Sequence, residues 1–378
     1  MISVTIGPPD LSILAAWDDL VQRASSNVFM HPAALAAAND LQFADVRMLS
    51  AWDDSGGSKR LVGLWGLQVR KVVPFWPHLL EALPYNYAFL SSPVIDLTVV
   101  DEVIGAFLTA IRHDRMLPHV IALKSLDAGE ASCSALMRTL AGQGGVGITL
   151  SEGPRPFATR DAGAKRSGST RKKLRQDWNR LSTLGTVDIV NDRSPDAAAA
   201  AFEVFLALEF KSWKGAQGTA LLCDAADAAF ARRLLAALAE RNSASVALLR
   251  VDGRPIAAQV VMYGGATAYT WKTAFDQGFA KYSPGALLID RITEELFSNQ
   301  GIDAINSCSS ETSFMTHLWT GRRAMIDILA DVGPGRSVAF RLEAMRQRGI
   351  ERLRELRDWL KSRTQIAPAR KVSALKSR

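Results

Sequence analysis

Four side chains stand out for the positions they occupy. Phe202, Phe205, Leu206 and Glu209 fall at i, i+3, i+4 and i+7 of one helix, which sets a carboxylate in the middle of an apolar face. Such a group is either paired or has its pKa raised by burial. At the edge of a cleft a raised carboxyl acts as general base toward an incoming amine or hydroxyl; the competing reading is a structural Glu paired with an arginine of the sheet. Trp213 and Lys214 follow directly, the indole suited either to stacking on a sugar or peptide or to serving as a lid. Asp276 stands between an apolar run ending at Ala274 and the pair Lys281-Tyr282, as a proton-handling group or as a turn residue. Cys308, Glu311 and His317 lie in a Ser-rich block from Asn306 to Trp319. They permit a Cys-His-Glu nucleophilic arrangement, or a simpler one in which Glu311 and His317 only move protons. The three cysteines and five histidines show no metal-ligand spacing, so no metal is expected.

The elements that must position these groups centre on residues 257–300. Two apolar, β-branched runs, Ile256 to Tyr263 and Thr267 to Ala274, flank Gly264-Gly265 and read as a hairpin. Tyr282-Ser283-Pro284-Gly285 then opens a helix, with Ser283 as N-cap, Pro284 at the first position, and Gly285, Leu288, Ile289, Ile292 and Leu296 on one buried face. A strand running into the open end of a helix is a ready anion site, because unpaired N–H groups and the helix dipole converge there. Earlier in the chain, Ile2 to Ile6, Asp45 to Trp52, Arg60 to Lys71, Tyr85 to Leu90, Val120 to Leu123 and Ile148 to Leu150 read as strands. Helices are expected from Ile13 to Arg23, from His31-Pro32 to Asn39 and from Val99 to Ile111. Val187 to Val190 and Ser245 to Val251 are strands of a second, similar half, with helices from Ser194 to Lys211 and Ala225 to Glu240. The repeated order of elements suggests duplication.

Strand, strand, Ser-Pro-Gly, helix and a further strand at Ala304 to Cys308 resemble the core of a GNAT acyltransferase domain. More narrowly, the chain resembles the acetyltransferase-like family found with bacterial cellulose-biosynthesis genes, itself similar to Fem-type peptidyltransferases. The Tyr-Ser-Pro-Gly block, the preceding Ala-Phe-Asp and Ser212 to Gly215 carry the likeness. It implies an α/β (α+β) fold of two GNAT-like domains in tandem, with mixed central sheets flanked by helices and a C-terminal amphipathic helix. The implied divisions are 1–160, a basic connector helix at 161–184, 185–335, and a tail at 336–378. It implies acyl transfer from acyl-CoA, above all acetyl-CoA, to an amine or hydroxyl on a sugar or envelope-polysaccharide precursor. Donor binding would fall to Lys281, Tyr282, Ser283, Pro284 and Gly285, and acceptor binding to Trp213, Lys214 and Trp271. Glu209, Asp276, Glu311 and His317 would be the proton-handling groups. The donor loop keeps a single glycine, and Asn306 and Phe314-Met315 stand where related proteins have Asp and Tyr-Lys. Two alternatives therefore remain: an aminoacyl-tRNA-dependent Fem-like transferase, and a degenerate pair serving as a binding subunit.

Charge sharpens this picture. The net +7 of the 378 residues is uneven: 336–378 holds thirteen Lys/Arg against four Asp/Glu, and 160–180 eight against two, which leaves the body at about −8. Basic character thus belongs to a connector and a tail, and argues only weakly for nucleic acid. In the connector, Leu174, Trp178 and Leu181 make an amphipathic helix whose basic face is either a solvated surface or a cleft wall that attracts a phosphate-bearing ligand. In the tail, Leu342, Met345, Gly349, Leu353, Leu356 and Leu360 form a stripe expected to dock on the second domain, with peripheral association at the inner membrane or an envelope-biosynthesis complex as the other reading. No signal-like leader or membrane-length apolar run is present, so a cytoplasmic protein is expected.

Overall fold

A computed structural model of the protein describes residues 1–57, 59–70, 76–83, 87–162 and 167–365. In chain order the first half comprises β1 (Ile2–Gly7), α1 (Leu14–Leu20), α2 (Pro32–Asp40), β2 (Val46–Asp53), β3 (Arg60–Arg70), β4 (Leu79–Glu81), β5 (Val94–Ile95), α3 (Val100–His113), β6 (Val120–Asp127), α4 (Ala131–Gly142) and β7 (Val146–Thr159). The second comprises α5 (Gly168–Ser182), β8 (Val187–Val190), α6 (Pro195–Phe210), α7 (Trp213–Ala216), α8 (Ala225–Ala239), β9 (Ala244–Val251), β10 (Arg254–Gly264), β11 (Thr267–Phe275), α9 (Pro284–Ser298), β12 (Ala304–Asn306), α10 (Met315–Leu318) and β13 (Arg322–Asp331); α11 (Val338–Gln365) follows.

The strands form one continuous mixed sheet in the order β1-β2-β3-β4-β6-β13-β7-β12-β11-β10-β9-β8, with β5 beside β3. Among the described residues two neighbouring pairs are parallel, β4 with β6 and β11 with β12, and each is bridged by a crossover that contains a helix, α3 or α9. The two halves are fused by a reciprocal exchange. β7, the last strand of the first half, pairs with β12; β13, the last of the second, lies between β6 and β7. The result is two α/β halves sharing a sheet flanked by helices.

Local sequence explains the central meander. Asp252 and Gly253 both take positive φ (48° and 77°) in the tight turn from β9 to β10, and Gly265 (φ 53°) turns β10 into β11. Along β10 alternate residues face opposite cores: Ala258, Val260 and Met262 pack with α6 and α8, while Ala257, Val261 and Tyr263 pack with α5 and α9. His31 caps α2 by accepting the Ala33 N–H at Nδ1, 3.1 Å, and burial pushes its pKa down to about 4, which keeps that nitrogen free to accept.

Several expectations need correction. Residues 87–90 form irregular chain rather than a strand, and Tyr85 and Asn86 lie outside the described residues, as do Lys165, Arg166 and Ile366 to Arg378. The tail helix is present, but its buried register differs from the expected stripe. Phe340 and Ala344 pack against Leu79, Val120, Ala122 and Leu329, while Met345, Leu353 and Leu356 are exposed. The helix turns this way because Glu343, fully buried, is gripped by Arg70 (2.8 Å), Arg346 (2.6 Å) and Gln347 (2.7 Å), and apolar periodicity cannot anticipate a buried ion cluster. No helix among the described residues is long and apolar enough to cross a membrane.

Candidate functional site

β11 carries a bulge. Val260 pairs with Lys272 but Val261 with Thr270, so Trp271 is the extra residue. The slip sends Tyr269 and Trp271 into the core shared with the first half and brings Thr273 and Phe275 beneath the start of α9, where a Cβ added to Gly285 would meet their side chains at 3.5 and 3.6 Å. The chain then makes a short 3-10 turn, Gln277–Tyr282, and Ser283 enters the left-handed region (φ 51°, ψ 47°) before Pro284 begins α9. Ser283 holds the N-cap position without a side-chain capping bond; its hydroxyl instead accepts from Lys173 of α5 at 3.0 Å. The first turn of α9 carries no acidic residue, and Pro284 has no N–H, so the N–H groups of Gly285 and Ala286 are what that helix end offers.

Above this helix end lies a pocket of about 490 Å³. Leu174, Phe275, Pro284, Ala286, Phe314 and Leu318 give it an apolar lining, with Ser169, Thr170, Lys173, Ser283 and His317 as its polar groups. The amphipathic connector is therefore a wall of the pocket. Leu174 is buried, and Arg171, Lys172 and Arg175 are exposed on the outside of the same wall. Lys173 is tied to the buried Asp177 as well as to Ser283.

A second pocket, of about 520 Å³, is polar. Lys124, Ser125, Ser151, Arg155, Ser309, Ser310, Glu311, Thr312 and Asp327 contribute to it. The loop after β12 walls both cavities, with Ser309 to Thr312 toward the polar one and Phe314, His317 and Leu318 toward the apolar one. Arg155 is 4% exposed. Its Nη1 donates to the Phe89 carbonyl at 2.7 Å, and no carboxylate among the described residues pairs with it. Glu152, Glu311 and Asp327 line the same pocket, so Arg155 stands in a cavity of mixed charge.

Of the residues singled out in the sequence, Ser283, Pro284, Gly285 and His317 come together at the apolar pocket, and Glu311 lines the polar one. Lys281 and Tyr282 lie next to Ser283 outside that lining, Tyr282 buried and Lys281 exposed over its ring. Glu209 is 1% exposed and fully engaged: one oxygen meets Lys214 Nζ at 3.0 Å and the other accepts the Leu221 N–H at 3.0 Å. Its partner is thus the next-but-four lysine, which also donates to the Thr273 carbonyl, rather than a sheet arginine. Trp213 is half exposed on α7, whereas Trp271 is buried with Nε1 donating to the Tyr87 carbonyl at 2.9 Å. Asp276 caps the 3-10 turn through the Gly278 N–H and pairs with Arg254 at 2.7 Å. Cys308 is buried, burial pushes its thiol up to about 12, and it lines neither pocket, so Cys308, Glu311 and His317 are not assembled as a nucleophilic unit.

Three groups escaped the sequence reading. Arg155 sits in Gly-Pro-Arg-Pro-Phe, where two prolines argue against a strand, yet β7 runs through it. Lys272 lies 5.3 Å from the Trp271 ring centroid; burial lowers its pKa, against the opposing charge of Glu209. Glu130, the N-cap of α4, is pushed up to about 7, by burial first and then by Asp127. No sequence pattern marks either group, since burial is the first cause of each shift. Among the described residues no three His, Cys, Asp or Glu side chains converge as a metal site.

Comparisons agree with this geometry at the level of fold. A sequence model of the acetyltransferase (GNAT) domain matches residues 168–311, which span α5 to the loop after β12. No curated protein matches the sequence. Among solved structures, FemX is similar at 11% identity, covering 85% of this chain and 96% of its own, with a TM-score of 0.59. The C-terminal domain of a putative lysylphosphatidylglycerol synthetase from Agrobacterium fabrum gives 14% identity, 90% and 96% coverage and a TM-score of 0.55. L-PGS from Bacillus licheniformis gives 17%, 90%, 97% and 0.51. Residues 168–311 thus resemble a GNAT acetyltransferase domain, within a two-part fold of the kind those structures share.

Proposed function

We propose that the protein transfers an acyl group from an acyl-CoA-type thioester to an amine or hydroxyl, with the donor held at the apolar pocket. The observation that carries this reading is the pocket at the open end of α9, most of whose lining, from Ser169 to Ala286, lies in the region that matches the acetyltransferase domain, with Phe314, His317 and Leu318 just beyond it. The N–H groups of Gly285 and Ala286 and the helix dipole are suited to polarising a thioester carbonyl and the negative charge that develops on its oxygen. The acceptor's nitrogen or oxygen attacks the carbonyl carbon, the new C–N or C–O bond forms, and the C–S bond breaks with departure of the thiolate. We assign to His317, which lines the pocket, the part of taking the acceptor's proton and returning it to the thiolate. The polar pocket across the shared loop would hold the acceptor, its hydroxyl-rich lining suiting a sugar such as an envelope-polysaccharide precursor. Isothermal titration of the full chain with acyl-CoAs tests this: binding of at least one thioester is expected, and failure of every one to bind a folded sample overturns it.

A second reading keeps the site and changes the carrier. The exposed Arg171, Lys172 and Arg175 beside the pocket could meet RNA phosphates, making aminoacyl-tRNA the donor. A tRNA gel shift at low salt, fading steeply as salt is raised, would favour it.

A further inference from the structure

The tail helix docks on the body by the side that its apolar pattern does not mark, and the marked side is left facing out. We propose that this outward face of α11 is a docking surface for an anionic lipid bilayer.

Phe340, Glu343, Ala344 and Gln347, spaced i, i+3, i+4 and i+7, form the side turned to the body. At about 100° per residue, Val338, Met345, Leu353 and Leu356 fall on the opposite side. All four are exposed, Leu353 by 67% and Leu356 by 52%. Val338 and Leu356 stand about five turns apart, so the stripe is long as well as apolar. Trp359, three residues further on, is also exposed, and an indole suits the boundary between hydrocarbon and headgroups. Arg341, Arg348 and Arg352 flank the stripe along one edge and Arg357 along the other, all of them exposed. The acids of α11 whose side chains are described, Glu343 and Glu351, belong to the body side. Glu343 is buried in its ion cluster, and Glu351 lines a small cavity between the helix and the sheet.

An apolar stripe edged with arginines matches a bilayer with negative headgroups: the leucines enter the acyl boundary while the guanidinium groups meet phosphates. A second copy of the chain fits less well. Two such faces brought together would set arginine against arginine, with no acid on either face among the described side chains. The small cavity behind the helix also takes in Lys124, Ser151 and Asp327, which line the polar pocket. A chain seated on the bilayer by α11 would therefore hold that pocket within about 10 Å of the headgroups, the diameter of one helix.

The test floats the full chain with vesicles of phosphatidylcholine alone and of phosphatidylcholine mixed equally with phosphatidylglycerol. Binding to the mixed vesicles is expected to be about tenfold tighter or more. Leu353→Gln with Leu356→Gln is expected to weaken it by about tenfold at an unchanged melting temperature, because both side chains are exposed. No binding, or equal binding to the two kinds of vesicle, overturns the proposal. Binding to the mixed vesicles that the double variant leaves unchanged places the contact elsewhere and also overturns it. Self-association in sedimentation that the double variant abolishes, without vesicle binding, gives the face to a second copy instead.

Discussion

The two parallel crossovers of the sheet share a frame and differ at its working end. In the first half α3 bridges β4 and β6; in the second α9 bridges β11 and β12. Neither helix has a side-chain N-cap bond. The first turn of α3 reads Val100-Asp101-Glu102, so two carboxylates already answer its dipole, and Asp101 is further tied to Arg138 at 2.7 Å. The equivalent turn of α9 reads Pro284-Gly285-Ala286, with no acid and no bulk, and a pocket opens over it. Topology alone thus does not open a pocket at a crossover helix. Two residues in one helical turn decide whether the same crossover closes on itself or stays open to a polar oxygen from outside.

The contrast can be broken most sharply by copying the first half into the second. Ala286→Glu places a carboxylate where Glu102 sits in α3. Acyl-CoA affinity by titration is expected to fall at least a hundredfold, with the melting temperature unchanged or slightly higher, because an acid in the first turn suits the helix dipole by about 0.3–1 kcal/mol. Retained affinity would show that the open turn is not what selects the donor.

An effect of similar size is expected in α11, where a buried carboxylate serves structure. Burial alone would raise Glu343, but hydrogen bonds from Arg346 and Gln347 and the charge of Arg70 hold it at about 2. Its folded value lies below its unfolded one, so it adds stability above the ordinary glutamate range and loses it as pH falls from about 4.5 toward 2, roughly 3 kcal/mol in all. Urea melts across that range should show the loss, and Glu343→Gln should flatten it. If the variant keeps the same acid sensitivity, the cluster does not carry it.

The smallest effect comes from undoing the first half's closure. Asp101→Asn with Glu102→Gln is expected to lower stability by about 1 kcal/mol at most and to create no second donor site, since α3 lacks a wall equivalent to α5. A doubled binding stoichiometry in titration would mean that charge alone had closed it.

The sequence showed the frame of the second half well. Val187 to Val190, the two-strand hairpin with its glycine turn, and the Ser283-Pro284 helix start follow from local pattern, and the structure places all of them within a residue or two. What it hid was non-local. β4, β5 and β13 are short or polar strands that owe their pairing to distant neighbours, and α4 was passed over between two strands. At the site, Ser283, Pro284, Gly285 and His317 were legible as motif and spacing. Arg155 and the apolar lining contributed by Leu174 and Phe314 were not, because no single segment contains the cavity. Glu209 illustrates the converse: its odd position on an apolar face was visible, but the lysine that answers it lies on a different short helix.

The strand exchange has a consequence for how the chain reaches this state. Val120 pairs with Asp331 and Asp127 with Met325, so the seam of the first half joins residues roughly two hundred positions apart, the kind of contact that slows folding. During synthesis β6 and β7 leave the ribosome long before β13 exists to lie between them. Until then each has an open edge, and an open edge invites pairing with another chain. The nascent first half is therefore a waiting intermediate rather than a finished unit, and any product that ends before residue 322 lacks β13 and keeps both edges bare.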